Sequence, residues 1–241
     1  MAEKIEFPVR INRYLALQGL ATRRSADELV VAGLVEINGI KAQLGDRVQS
    51  GDTVEIVRTK KHIAKVFTYV AYYKPRGIIT HSPQENESSI EDISPFPELS
   101  PLGRLDKASE GLILLTDDGR VTERLLHPRF AHEKEYLVTV REKALPQMRA
   151  VLEAGIESEG ELLSAKKVEL LGAHTLVLIL TEGKKHQIRR MLDAVHLTVE
   201  KLVRTRIMGV HLGALKAGQS RVLKGSARAS FLKSIDLKEN V

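Results

Sequence analysis

Cysteine is missing from all 241 positions. That excludes disulfides, thiolate metal sites and a cysteine nucleophile. It suits a reducing compartment, and a cytoplasmic location is the expectation. Long apolar runs are missing as well. The N-terminal MAEKIEFPVRINRYL has no apolar stretch of the kind a signal peptide needs. No run approaches the roughly 20 residues of a membrane span, so no membrane association is expected. The common nucleotide-binding and hydrolytic signatures are absent too: there is no P-loop, no G-x-G-x-x-G after a strand, no H-E-x-x-H and no G-x-S-x-G. The eight histidines are scattered. His127, His132, His186 and His196 read as surface or supporting residues, and no metal is expected.

What is present is ordinary for a globular chain, at 43% hydrophobic and 28% charged residues. The charge, however, is uneven. The net charge is +6, yet residues 183–241 hold thirteen Lys+Arg against four Asp+Glu. Residues 1–182 are net negative, with 24 against 27. Concentrated positive charge points to a polyanion, nucleic acid first. A merely solvated basic face is the competing reading.

Residues 9–58 read as a small module. INRYLALQGL has helical spacing, with Gly19 to end it, and TRRSADELVVAG follows with Thr22 as N-cap and Gly33 as stop. LVEINGIKA alternates about Asn38-Gly39, a hairpin signal, and DTVEIV alternates again. Arg10, Arg13, Arg23, Arg24 and Lys41 are available as a basic rim. RTKKHIAK, residues 58–65, reads as a connector. The expected division is 1–60, a linker at 61–66, and 67–241. In the larger part, VFTYVAYYKPRGIIT suggests strand, turn and strand, and SPQENESSIEDISPFPELSPLG a surface loop. GLILLT, EYLVTV, KKVELL and HTLVLIL read as strands, ALPQMRAVLEAG and KKHQIRRMLDAVH as helices. The expected fold is α+β: a helix-helix-strand module, then a domain with a mixed, mostly antiparallel sheet.

GRLDKASEGLILLTDDG, residues 103–119, sets an arginine and an aspartate at the mouth of an apolar strand. Solubility does not require them there. A charged loop backed by a rigid element is how chemistry is commonly mounted. Gly103 permits close backbone approach. In KKHQIRRML the apolar face is Ile188, Met191, Leu192 and Val195. Arg189 and Arg190 flank it, so one is expected to point inward, where it can bind a carboxylate through two hydrogen bonds, and the other to solvent.

GRLDKASEGLILLTDDG, KPRG, HEKEYLVTV and GKKHQIRRML together resemble the signature segments of the pseudouridine synthases, in particular the RsuA/RluB-type branch that modifies ribosomal RNA. RINRYLALQGLATRRSADELVVAGLVEINGIKA resembles the alpha-L RNA-binding module that precedes that domain. The resemblance spans Val9 to the C-terminal helix. It implies a cofactor-free isomerisation of uridine to pseudouridine, with 23S ribosomal RNA as the substrate and transfer RNA as the alternative. It also implies that Asp106 is the reacting carboxylate, as nucleophile at the ribose or as base, and that Arg189 pairs with it. The resemblance further implies that Tyr136 packs against the target base, Ile188 forms an apolar wall, and Arg104 fills the space a flipped uridine leaves. Lys74 of KPRG matches a family motif that is structural more than chemical and is grouped with the substrate-side residues, and Arg204 and Arg206 are implied as phosphate contacts. A non-catalytic ribosome-assembly factor on the same fold is the other alternative. A monomer is expected, since no long exposed apolar stripe is evident.

Overall fold

The structure is a computed structural model that describes residues 6–18, 20–21, 23–57, 66–126 and 130–237, without the side chains of Arg24 and Glu123. Gly19, Thr22, the connector at 58–65 and the side chain of Arg24 therefore lie outside the described residues. The chain forms two compact units: Met1–Val66 with Asp118–Arg120 and Asn240–Val241, and Phe67–Asp117 with Val121–Glu239.

The first unit runs β1 (Val9–Arg10), α1 (Ile11–Leu17), α2 (Arg23–Val31), β2 (Val35–Ile37), β3 (Ile40–Lys41), β4 (Arg47–Val48) and β5 (Val54–Ile56). Ile11 and Leu15 of α1 meet Ala26 and Val30 of α2, and Val35 and Val48 close this small core. The β2–β3 turn is the two-residue hairpin expected from Asn38-Gly39. Both residues have positive φ, 52° and 77°, matching the twist of the strands they join.

The second unit begins β6 (Tyr69–Lys74), α3 (Ile90–Ile93), β7 (Ser100–Leu102), β8 (Glu110–Thr116), α4 (Gly119–Leu126) and β9 (Lys134–Val140). It continues α5 (Pro146–Ala154), β10 (Ile156–Ser158), β11 (Glu161–Leu163), β12 (Lys167–Gly172) and β13 (Thr175–Leu180). It ends α6 (Gln187–Asp193), β14 (Val199–Ile207), β15 (Val210–His211), β16 (Ser220–Val222) and α7 (Gly225–Ser234). The main sheet runs β12-β13-β9-β14-β8-β6-β16, with β15 beside β14 and β7 beside β8. Among the described residues its one parallel pair is β14 with β8; the other pairs are antiparallel, so the sheet is mixed as expected. Period-two alternation sends Tyr136 and Val138 of β9 to one face and Leu137 to the other. On the first face lie α5 and α6, through Leu152, Ile188, Met191 and Leu192. On the second lie α4 and α7, through Val121, Leu125, Phe231 and Leu232. No helix among the described residues is long and apolar enough to cross a membrane.

Three local expectations differ from the structure. No second strand follows KPRG: Ile79 makes one isolated bridge to Ser89. The carbonyls of Pro75 and Ile78 are instead taken by the Lys74 ammonium. The Ser/Pro/Glu-rich stretch is not all loop, because the Ser89–Asp92 capping box starts α3 and Ser100–Leu102 pairs with β8. Helix α6 begins at Gln187 rather than in the lysines, because His186 is left-handed at φ 51°.

Candidate active site

A cleft of about 380 Å³ opens in the second unit. One wall is the loop 103–109, between β7 and β8; the facing wall is the turn 183–187 with the first turn of α6. Its apolar floor is Leu105, Tyr136, Leu180, Ile188 and Leu202. Asp106, Arg104, Tyr136, Ile188 and Arg189 thus converge here, from segments far apart in the chain.

The loop is tied down almost residue by residue. Gly103 takes φ 75°, and a Cβ there would come within 3.1 Å of Leu126 Cδ2. Leu105 is buried, and Thr80 holds it twice: its Oγ1 donates to the Leu105 carbonyl at 2.8 Å and accepts from the Leu105 amide at 3.0 Å. Arg104 and Asp106, on either side of that anchor, are left exposed at the cleft. The Asp106 carbonyl accepts from the Ser109 amide at 3.0 Å, and the Lys107 carbonyl from the Gly77 amide at 2.7 Å. Arg189 Nη2 donates to the Ala108 carbonyl at 3.2 Å.

Beneath the loop, Lys74 is fully buried. Its ammonium donates to the carbonyls of Pro75, Ile78 and Ser109 at 2.9, 2.6 and 2.8 Å. All three N–H donors are committed, so Lys74 joins the two loops and has no free donor for a substrate. Burial pushes its pKa down to about 8; Asp106 and Glu110 act the other way, and Arg204 adds to the lowering.

The Asp106 carboxylate is 42% exposed, and His186 Nε2 lies 3.7 Å from its Oδ1. Arg189 does not fork onto it as expected. Its Nη2 is bound to the Ala108 carbonyl, and it acts on Asp106 through charge. Burial draws the Arg189 pKa below its usual range; Asp106 opposes that and Arg76 adds to it.

Arg190 also departs from expectation. It is not in solvent: its side chain is 11% exposed, on Glu161 at 2.7 Å and Glu159 at 3.7 Å. It also donates to the Ser158 carbonyl and hydroxyl. The β10–β11 hairpin folds over that face of α6 and supplies these acceptors. Arg204 and Arg206, expected at phosphate, are engaged within the fold. Arg204 is buried, with Nε donating to the Leu112 carbonyl at 2.7 Å. Arg206 pairs with Glu135 and Glu133, both at 3.2 Å. In the first unit Arg10, Arg13, Arg23 and Lys41 are exposed.

Sequence reasoning missed several lining residues: Thr80, His81, Lys107, Ser109, Lys184, Lys185 and His186. The signal for the last three was the K-K-H run directly before Q-I-R-R. It also missed Gly111, where an added Cβ would lie 2.4 Å from the Arg204 carbonyl oxygen. Only glycine lets β8 and β14 come together there.

Comparison with known proteins extends this geometry. The RNA pseudouridylate synthase family model matches residues 68–194, and the S4 domain model residues 9–54. The chain is 34% identical over 231 residues to the Dual-specificity RNA pseudouridine synthase RluF of Escherichia coli, covering 95% of this chain and 80% of that protein. It is 32% identical over 224 residues to the Ribosomal large subunit pseudouridine synthase B of Bacillus subtilis, covering 89% and 91%. A crystal structure of a pseudouridylate synthase superposes with a TM-score of 0.68 at 28% identity, over 94% of this chain and 99% of that one. A matched family domain, a matched S4 domain and relatives aligned over most of their length lead to one assignment: the chain belongs to the RNA pseudouridine synthases, enzymes that isomerise uridine in RNA.

Proposed function

We propose that this enzyme converts uridine to pseudouridine in large-subunit ribosomal RNA, with Asp106 as the reacting carboxylate and without a cofactor. The carrying observation is that Asp106 is the one carboxylate among the described residues lining the cleft, and its neighbours there include Arg104, Lys107, Lys184, Lys185 and Arg189. A cationic mouth draws in a polynucleotide, and a single anion on a tied loop is left to meet the ribose or base. The reaction breaks N1–C1′, forms C5–C1′, removes the proton from C5 and leaves one on N1. Atoms and electrons balance within the nucleoside, so an ionised carboxylate acting as nucleophile or base suffices. Tyr136 and Ile188 form the wall for the flipped base, and Arg104, exposed at the rim, stacks in the space it leaves. The similarity to the Ribosomal large subunit pseudouridine synthase B of Bacillus subtilis supports ribosomal RNA of the large subunit.

The test is incubation of the wild type and Asp106→Asn with purified 23S, 16S and transfer RNA, read by pseudouridine-specific chemistry. Wild-type product in 23S RNA, and none from a folded Asp106→Asn that still binds RNA, is the expected result. Product only in transfer RNA would move the substrate. No product in any RNA would favour a binding factor. Turnover by Asp106→Asn would remove the carboxylate from the mechanism.

A further inference from the structure

The turn after β6 carries a cation that the proposed mechanism leaves unused. Arg76 stands exposed in Lys74-Pro75-Arg76-Gly77, and both flanks of that turn are tied. The Lys74 ammonium takes the Pro75 and Ile78 carbonyls. Gly77, at φ 90°, donates its amide to the Lys107 carbonyl at 2.7 Å, one residue from Asp106. The Arg76 guanidinium reaches the start of β14, where Nη1 donates to the Glu200 carbonyl at 3.1 Å. Arg189 meets the same aspartate loop from α6, at the Ala108 carbonyl. Burial lowers the Arg189 pKa, Asp106 opposes that and the Arg76 charge adds to it, so the two guanidinium groups share one field. Other cations on this flank are matched with carboxylates: Lys107 with Glu87 at 2.8 Å, Lys201 with Glu110 at 3.3 Å and Arg141 with Glu200 at 3.4 Å. Arg76 is not. Among the described residues its partner is the Glu200 carbonyl, while the Glu200 carboxylate serves Arg141.

We propose that Arg76, supported by the charge of Arg189, binds a backbone phosphate adjoining the target uridine. The proposal deepens the reading of this cleft as the uridine site and rests on it. A nucleotide whose ribose reaches Asp106 brings its own phosphates toward a carboxylate of the same sign, and the two repel. A cation without a carboxylate of its own offsets that repulsion and breaks no ion pair in doing so. Lys107, Lys201 and Arg141 would each first have to leave a glutamate. With one N–H on the Glu200 carbonyl, Arg76 keeps its other donors for phosphate oxygens, and a planar guanidinium can bind two of them together. The tied turn sets the Arg76 backbone before RNA arrives, which lowers the cost of ordering it on binding.

The experiment is Kd by filter retention across a salt series, with kcat and KM on 23S RNA, for the wild type, Arg76→Gln and Lys233→Gln. Lys233 is exposed on α7, which packs on the other face of the sheet, so its loss controls for net charge. Arg76→Gln should weaken binding about five-fold at moderate salt and flatten the slope of log affinity against log salt by about 0.7 to 0.9, the share of one phosphate. Its kcat at saturating RNA should match the wild type, and Lys233→Gln should keep wild-type values throughout. A second arm locates the contact. A synthetic 23S fragment that the enzyme modifies is made with an uncharged methylphosphonate on one side or the other of the target uridine, the adjoining 2′-hydroxyl being methylated in the charged and uncharged versions alike. One of the two should weaken wild-type binding by the same factor and leave Arg76→Gln no weaker, since one contact cannot be lost twice. Losses that multiply, an unchanged slope in Arg76→Gln, or a fall in kcat with Kd unchanged overturns the proposal; the last would make Arg76 a prop for the turn. Product absent from every RNA, measured with the wild type, would instead overturn the reading on which it rests.

Discussion

A single ammonium, Lys74, holds the floor of the cleft, and its chemistry has two opposed consequences. Its three donors match three carbonyls, so all three ties between the loop carrying Asp106 and the turn after β6 are made only while the amine is protonated. Its pKa in the folded protein is down at about 8, against 10.5 as its ordinary value. Between those values the unfolded chain keeps a proton that the folded chain has released. Stability therefore rises with pH across that window, because the cost of burying the charge is relieved. Lys134, also held down to about 8 by burial and by Arg204, contributes in the same sense. Turnover should move the other way, since a neutral amine has two N–H groups for three acceptors. Urea midpoints at about pH 8 and about pH 10 should show a gain for the wild type and a smaller gain for Lys74→Met. An equal gain in both would locate the titration elsewhere. The same residue marks what the sequence concealed. The K-P-R-G segment was legible as a family feature, structural more than chemical, but which carbonyls its lysine met, 4 and 35 residues away, was not. Arg189 and Arg190 are alike in this: their charge was legible, while their partners come from the 103–109 loop and the β10–β11 hairpin.

Strands with clean alternation and helices with a full apolar stripe were legible because their burial is periodic. EYLVTV is the clearest case, and it became β9 with every second residue buried. The β10–β11 hairpin and β14 were not, since Glu157, Glu159, Glu161, Lys201, Arg204 and Arg206 disguise them as polar chain. Several of those charges are neutralised by partners distant in sequence: Arg190 for the hairpin glutamates, Glu133 and Glu135 for Arg206. Gly111 shows the same limit in a residue without a side chain. It sits at φ 107°, and a methyl group would collide with the Arg204 nitrogen at 2.6 Å as well as its oxygen. Backbone strain and a clash with the partner strand act together. Gly111→Ala should lower unfolding free energy by more than about 3 kcal/mol in urea titration. Gly172→Ala, where an added methyl meets nothing within 4 Å, should stay within about 0.5 kcal/mol. Similar losses for both would mean that β8 and β14 have room to separate.

At the scale of the whole molecule, charge and cores divide the work. The cleft and the three buried clusters of the second unit draw only on residues from Phe67 onward. The S4 unit has its own core and presents Arg10, Arg13, Arg23 and Lys41 to solvent. Exposed cations of this kind suit contacts to phosphate, which carry little sequence information and release counterions on binding, and that is the role proposed for them. Removing residues 1–57 should leave a folded protein with the cleft intact. Its affinity for 23S RNA should fall about ten-fold or more at moderate salt. If all four cations meet phosphate, the slope of log affinity against log salt should flatten by roughly three. The loss should appear in KM, with kcat at saturating RNA near the full-length value. Binding measured by filter retention across a salt series checks both parts. An unchanged slope would assign the S4 unit a partner other than this RNA, and a collapse of kcat would mean that the unit also orients the target uridine in the cleft.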